Sequence, residues 1–179
     1  MKNPLCIILL LSILCSCNQN KKSQKPSLSL ISSDTTAQIT LLFVGDIMQH
    51  KPQIRAAKTD SGYNYKECFQ HLQKELNQAD LAIANFETTL GGKPFKGYPL
   101  FSSPDELDFE LFGVGFNVFQ LANNHILDRG KKGLNRTLRI LDSIQVYYTG
   151  AFSSEEDRVR RNPLMIEKKG FKLAFLNYT

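Results

Sequence analysis

Three short segments gather the residue types that could do chemistry: Gly45-Asp46, Asn85-Phe86-Glu87-Thr88-Thr89 and Asn123-Asn124-His125-Ile126-Leu127-Asp128. Each follows an apolar run of strand length. In a parallel α/β sheet, ligand sites lie outside the carboxyl ends of the strands, so these segments would share one rim. Taken singly, Gly-Asp is a common turn, Asp caps helices, and a double Asn also marks turns. Their recurrence at three consecutive strand ends favours a site. Asp, Glu, Asn and His offer hard oxygen and imidazole donors suited to Mg²⁺, Mn²⁺, Fe or Zn²⁺, with no thiolate competing. Carboxylates crowded together without a cation repel one another and hold protons, which makes an ion the natural occupant.

The elements that must position these residues alternate between strand and helix. Ile39 to Val44, Asp80 to Phe86 and Phe116 to Ala122 read as buried strands, and Val146 to Tyr148 as a fourth. Tyr65 to Asn77 places Cys68, Phe69, Leu72 and Leu76 at helical spacing, which predicts one helix with Cys68 packed on its apolar side. Pro104 to Phe112 predicts a short helix with Ser103 as cap and Pro104 in its first turn. Gly130 to Leu141 is amphipathic, with Leu134, Leu138 and Leu141 on one side. Leu164 to Glu167 and Phe171 to Leu176, joined across Lys168-Lys169-Gly170, predict a hairpin. The alternation predicts a layered α/β domain with a largely parallel sheet.

The N-terminal stretch is of another kind. Lys2, the apolar run from Pro4 to Leu14 and the segment Leu14-Cys15-Ser16-Cys17 predict a secretory signal over residues 1–16, too short to span a bilayer. The last four of these residues resemble a bacterial lipobox, which implies cleavage before Cys17 and its acylation. Residues 17–37 are polar and rich in Ser, Thr, Asn and Gln, and predict a flexible tether to a domain over residues 38–179. Once the signal and lipidated Cys17 are set aside, Cys68 alone remains as a thiol, so no disulfide framework is expected. The 22 Lys and Arg exceed the 17 Asp and Glu by five. Lys2, Lys21, Lys22 and Lys25 against Asp34 carry three of those charges, leaving two for residues 38–179. A balance so close to neutral gives no support to nucleic-acid binding.

The strand-end segments resemble the CapA family of capsule and polyglutamate synthesis, which is similar in fold to calcineurin-like metallophosphoesterases. The resemblance rests on Gly45-Asp46, on Asn85-Phe86-Glu87-Thr88-Thr89 and, most specifically, on Ala122-Asn123-Asn124-His125-Ile126-Leu127-Asp128-Arg129-Gly130. It implies a layered α/β/β/α architecture of the metallophosphoesterase type. It also implies metal ligation by Asp46, by Glu87 as a bridging carboxylate and by Asn124 at a second ion, with His125 as the acid that protonates a leaving oxygen. Asn85 and Asn123 stand in the same motifs as additional candidates, and Asp128 is read as capping the next helix or orienting His125, with substrate contact as its other role. The phosphoesterases usually carry a His two residues after the first Asp. Here that place holds Met48, and the nearest imidazole is His50, a further candidate ligand. No His follows His125. The reading therefore expects only the N-terminal half of such a fold, with its sheet partly unpaired.

Other polar segments have plainer readings. Gly91 to Pro99 lacks a Gly-Lys-Ser/Thr arrangement and reads as a mobile loop whose Lys93 or Lys96 could meet an anionic substrate. Arg158, Arg160 and Arg161 read as a solvated helix face, and His71 as solvated.

Two functions follow as expectations. In the first, a lipid-anchored protein of the bacterial envelope, on the periplasmic or extracellular side, acts in synthesis or export of a capsular or poly-γ-glutamate polymer by metal-assisted hydrolysis or transfer on an ester, phosphate or amide. In the second, the same fold is a non-catalytic scaffold that binds the polymer or membrane synthase subunits.

Overall fold

The computed structural model describes residues 36–179. The expected signal, Cys17 and all but the last two residues of the expected tether lie outside the described residues. Four strands, β1 (Leu41–Ile47), β2 (Leu81–Phe86), β3 (Val118–Gln120) and β4 (Tyr147–Thr149), form a sheet in the order β1-β2-β3-β4. All three pairings are parallel. Consecutive strands are adjacent, as expected when each connection crosses back over one face. Strands β5 (Leu164–Lys168) and β6 (Phe171–Phe175) form a separate antiparallel hairpin.

Alternation along β2 explains its near-continuous apolar sequence. Ala82, Ala84 and Phe86 face a core that includes Leu76, Leu107, Leu111, Leu138 and Leu141 from the helices. Leu81 and Ile83 face the other way, against Val118 and against Ile166 and Phe175 of the hairpin. The result is three layers: helices, parallel sheet, hairpin. A strand buried on both faces has no position for a polar side chain until it ends, and each fully buried Leu, Ile or Phe contributes about 1.5–3 kcal/mol. Phe43, on the hairpin side of β1, stays 57% exposed.

The helices on the other face are α1 (Lys51–Ala56), α2 (Lys66–Phe69), α3 (Gln73–Gln78), α4 (Glu106–Val114), α5 (Gly130–Ser143) and α6 (Glu155–Arg161). The single helix expected over 65–77 is instead α2 and α3 joined by a 3₁₀ turn at Gln70–Leu72. That overwinding moves the apolar stripe off register. Leu76 is buried, but Leu72 is half exposed and Cys68 is exposed rather than packed. The expected cap on α4 also differs. Asp105 holds the N-cap position, and the Ser103 hydroxyl is buried in a hydrogen bond with Thr88 Oγ1 at 2.9 Å. The helix stops at Gly115, whose φ of 122° suits a residue without Cβ. Among the described residues no helix is long and apolar enough to cross a membrane.

Candidate functional site at the strand ends

Strict alternation would send Asp46 to the face opposite Asn85. A bulge prevents this. Phe43 pairs with Ile83 and Asp46 with Asn85, so β1 spends three residues where β2 spends two. The extra residue rotates Asp46 onto the same side as Asn85 and Glu87, the re-aiming that bulges perform beside functional sites.

The convergence is visible in the hydrogen bonds. Asn85 Nδ2 donates to Asp46 Oδ1 at 2.9 Å and to Glu87 Oε2 at 2.8 Å. Its Oδ1 accepts from Asn123 Nδ2 at 3.0 Å, and Asn123 Nδ2 also reaches the Phe86 carbonyl at 3.1 Å. This network fixes the amide orientation, because a flipped Asn85 would aim its oxygen at two carboxylates. Burial pushes the Glu87 carboxyl above its ordinary pKa, the Asp46 charge adds to this, and the nearby His125 ring pulls in the other direction.

The third strand end supplies a second dyad. Asn123 Oδ1 accepts the His125 backbone N–H at 3.1 Å, which shapes the turn after β3. His125 Nδ1 lies 2.8 Å from Asp128 Oδ2, and the same oxygen accepts the Phe101 N–H at 2.7 Å. An ionised carboxylate only accepts, so Nδ1 carries the proton and Nε2 is left to exchange one. Asp128 thus orients His125. It does not cap α5, whose N-cap position is held by Arg129 without a side-chain cap.

Buried Phe101 separates the two imidazoles, its ring edge-on to His125 at 4.5 Å between centroids and to His50 at 5.2 Å. His50 Nδ1 accepts the Tyr98 N–H at 3.4 Å, so this imidazole is engaged with the 91–102 loop. That loop is tied down more firmly than its glycines suggested. Lys96 and Ser102 exchange backbone bonds at 2.9 Å, and the Arg129 guanidinium donates to Pro94 O at 2.9 Å. Lys93 and Lys96 are exposed upon it.

Asn123 is buried inside the network, whereas Asn124 is exposed and, among the described residues, its side chain makes no hydrogen bond. His71 is exposed. Arg158, Arg160 and Arg161 are not a bare cationic face, because they pair with Glu155 and Asp157 of their own helix. The sequence reading missed the bulge, the Asn85 amide as the link between the carboxylates, and Phe101 between the imidazoles. The even spacing from Phe43 to Asp46 holds no signal for the first of these beyond Gly45 itself.

The donor set can be weighed for a metal. Asp46 and Glu87 are two carboxylates aimed at one point, enough for a single hard cation that keeps several waters, as Mg²⁺ and Mn²⁺ do. Asn85 already occupies that point with a neutral amide. Among the described residues no group of three or more His, Cys, Asp and Glu is arranged to hold a metal ion. Asp46 and Glu87 are the carboxylates that meet at the strand ends, and a single hard cation would find its first two oxygen donors there once the Asn85 amide gave way.

A parallel sheet with helices on one face and a polar rim of Asp, Asn, Glu and His at its strand ends defines a layered α/β fold of the metallophosphoesterase-like class. Residues 40–179 match the family described as bacterial capsule synthesis protein PGA_cap, and the chain belongs to that family. It is 28% identical over 147 residues to the capsule biosynthesis protein CapA of Bacillus anthracis, covering 79% of this chain and 34% of that relative. It is also 33% identical over 94 residues to the uncharacterized protein y4sH of Sinorhizobium fredii, covering 48% of this chain and 20% of that relative. The chain thus spans about a third or less of the length of these relatives.

Proposed function

We propose that this member of the capsule synthesis family acts at the bacterial envelope, as a lipid-anchored protein, on bonds of a capsular polymer, and that the strand-end cluster is its reaction centre. The observation that carries the reading is the meeting of Asp46 and Glu87 at Asn85, with the oriented His125–Asp128 pair on the next strand end. The capsule assignment is supported by the family and by the likeness to the capsule biosynthesis protein of Bacillus anthracis.

In this reading Asp46 and Glu87 hold a divalent ion, Mn²⁺ or Mg²⁺ before Fe or Zn²⁺ because the donors are oxygens. When bound, such an ion supplies charge stabilisation at a developing oxyanion and a more acidic water. The chain's own residues do the rest. His125 Nε2 delivers a proton to the leaving oxygen, while Asp128 holds the ring in place through Nδ1. Asn123 keeps the turn in place through its bond to the His125 N–H. The reaction class is hydrolysis or transfer at an ester, phosphate or amide.

A second reading is favoured by one observation: the Asn85 amide satisfies both carboxylates without any cation. In that case the fold is a scaffold for polymer or for synthase subunits. A chromogenic phosphoester assay with added Mn²⁺ separates the two. The catalytic reading expects Mn²⁺-dependent turnover that falls by about 10²–10⁴-fold in His125→Ala and is lost in Asp46→Asn. Turnover absent in the wild type, or unchanged in both variants, leaves the scaffold.

A further inference from the structure

Helix α5 breaks an electrostatic rule that α6 keeps. The N-terminal end of a helix carries a partial positive charge, so acidic residues stabilise the first turn and basic residues the last. In α6 the first turn holds Glu155, Glu156 and Asp157, and the last turn holds Arg158, Arg160 and Arg161. In α5 the N-cap is Arg129, Lys131 and Lys132 follow at once, the first turn has no acidic residue and the last turn no basic one. Positive charge gathered at the positive end of a helix costs stability, and local rules are broken in this way where function has set the residues.

The misplaced charge opens onto a groove. Arg129, Lys132, Arg136 and Arg139 recur along α5 at spacings of three and four, and so share one side of it. Arg160 and Arg161 of α6 line the same hollow, which encloses about 890 Å³. Three of these six cations already have carboxylate partners. Arg136 grips Asp105 with two bonds of 2.7 and 2.8 Å, Arg160 holds Asp157 at 2.8 Å, and Arg161 holds Asp157 at 2.9 Å and Asp142 at 3.0 Å. Arg129 is spent on the Pro94 carbonyl, at 2.9 Å, and a Cβ on Gly91 or Gly133 would collide with its stem. Lys132 and Arg139 are exposed and, among the described residues, have no ion-pair partner.

We propose that this groove binds the phosphate group of a phosphate monoester, carried by a small soluble ester or by a lipid headgroup. The proposal stands on the groove alone and shares no residue with the strand-end centre. At neutral pH a phosphate monoester concentrates a charge of about −1.5 to −2 and three acceptor oxygens in one group. That matches two unpartnered cations at once, where a single carboxylate would leave one of them uncompensated. Lys132 and Arg139 stand two helical turns apart, about 10 Å along the axis, so their long side chains can close on one group between them. A guanidinium supplies a fork for phosphate oxygens and an ammonium a point charge, the two ways in which phosphate is held. The volume beside them accommodates the rest of a small ester.

The test is calorimetric titration of glycerol 3-phosphate into the whole protein in EDTA, paired with sedimentation on phosphatidylcholine vesicles that carry phosphatidic acid, the same phosphate group on a lipid. EDTA leaves the strand-end carboxylates without divalent ions, so they repel the probe. Saturable binding of glycerol 3-phosphate, or of the phosphatidic acid vesicles over plain phosphatidylcholine, is the expected result, and which of the two binds identifies the source. Lys132→Gln with Arg139→Gln weakens binding by about tenfold, two charged contacts being lost, and melts no lower than the wild type because a cation leaves the first turn of α5. Lys132→Arg with Arg139→Lys keeps both charges and retains most of the affinity. Binding of neither probe by the wild type, equal affinity in the Gln variant, or equal affinity for succinate, a dicarboxylate of the same charge, overturns the proposal. Mn²⁺ binding at Asp46 and Glu87 is measured without the phosphate probe and is untouched by these substitutions, so failure here and failure of the strand-end reading are read separately.

Discussion

Asp46 and Glu87, from the ends of two adjacent parallel strands, converge on one nitrogen, Asn85 Nδ2, at 2.9 and 2.8 Å. The amide takes the place a cation would fill, and it screens two like charges, of which Glu87 has its pKa raised by burial first and by the Asp46 charge second. Asn85→Ala removes both donors and the acceptor for Asn123. Without divalent ions the variant should lose about 1–3 kcal/mol in chemical denaturation. Added Mn²⁺ should then raise its Tm more than that of the wild type. An equal Mn²⁺ response in both proteins would separate the amide from any ion-binding role.

Asp128 Oδ2 serves His125 and the buried Phe101 N–H at once. Asp128→Ala orphans a buried donor and should cost about 1–3 kcal/mol, whereas Asp128→Asn keeps an acceptor and should cost less. Urea denaturation of the two variants measures the order. In NMR, both should change the His125 tautomer balance, since neither presents a carboxylate to Nδ1.

Thr137 fastens α5 to the chain after β2. Its hydroxyl donates to Gly133 O and accepts the Leu90 N–H, both at 2.9 Å, and both Thr137 and Leu90 are fully buried. Thr137→Val preserves shape and leaves the Leu90 N–H unpaired, for a loss of about 1–3 kcal/mol. A Tm within a degree or so of the wild type, after the usual scaling of stability to Tm, would contradict the account.

Asp108 is fully buried in α4 with neither oxygen hydrogen-bonded among the described residues. Burial, aided by the Asp105 charge, pushes its pKa from 3.8 to about 7. A carboxyl raised on folding is protonated more readily in the native state. Its stability contribution is therefore intact below pH 4 and falls away as pH rises through about 7. The difference of about three units corresponds to roughly 4 kcal/mol. Asp108→Asn should raise Tm at pH 8, have little effect at pH 4, and flatten the profile between them. Parallel wild-type and variant profiles would sink this prediction.

Much of this architecture was legible in the residues. The apolar runs before Asn85 and Asn123 are strands covered on both faces of the sheet, and a doubly covered strand leaves a pattern of uninterrupted hydrophobics; the run before Asp46 reads the same way although β1 is only partly covered. The hairpin across Lys168-Lys169-Gly170 was equally plain, since Lys169 and Gly170 take the positive φ values that such a turn needs. What escaped was set by neighbours far away in sequence. The 3₁₀ turn at Gln70–Leu72 breaks a helical pattern that Cys68, Leu72 and Leu76 spell out faithfully. The bulge in β1 reverses the facing of Asp46, and no local propensity announces it. Asn85 reads from its motif as a ligand, but its amide acts as a donor between two anions, which only their positions reveal. The bond from Arg161 to Asp142 likewise depends on how α6 lies against α5, whereas the pairs with Asp157 lie within α6 at helical spacing.

The central claim, that Asp46 and Glu87 hold a divalent ion, is tested most directly by calorimetric titration of Mn²⁺ into the protein and into its Asp46→Asn and Glu87→Gln variants. Saturable binding in the wild type, weakened by at least about tenfold in each variant, is the predicted result. No saturable binding in the wild type, or binding that both variants retain in full, would contradict it.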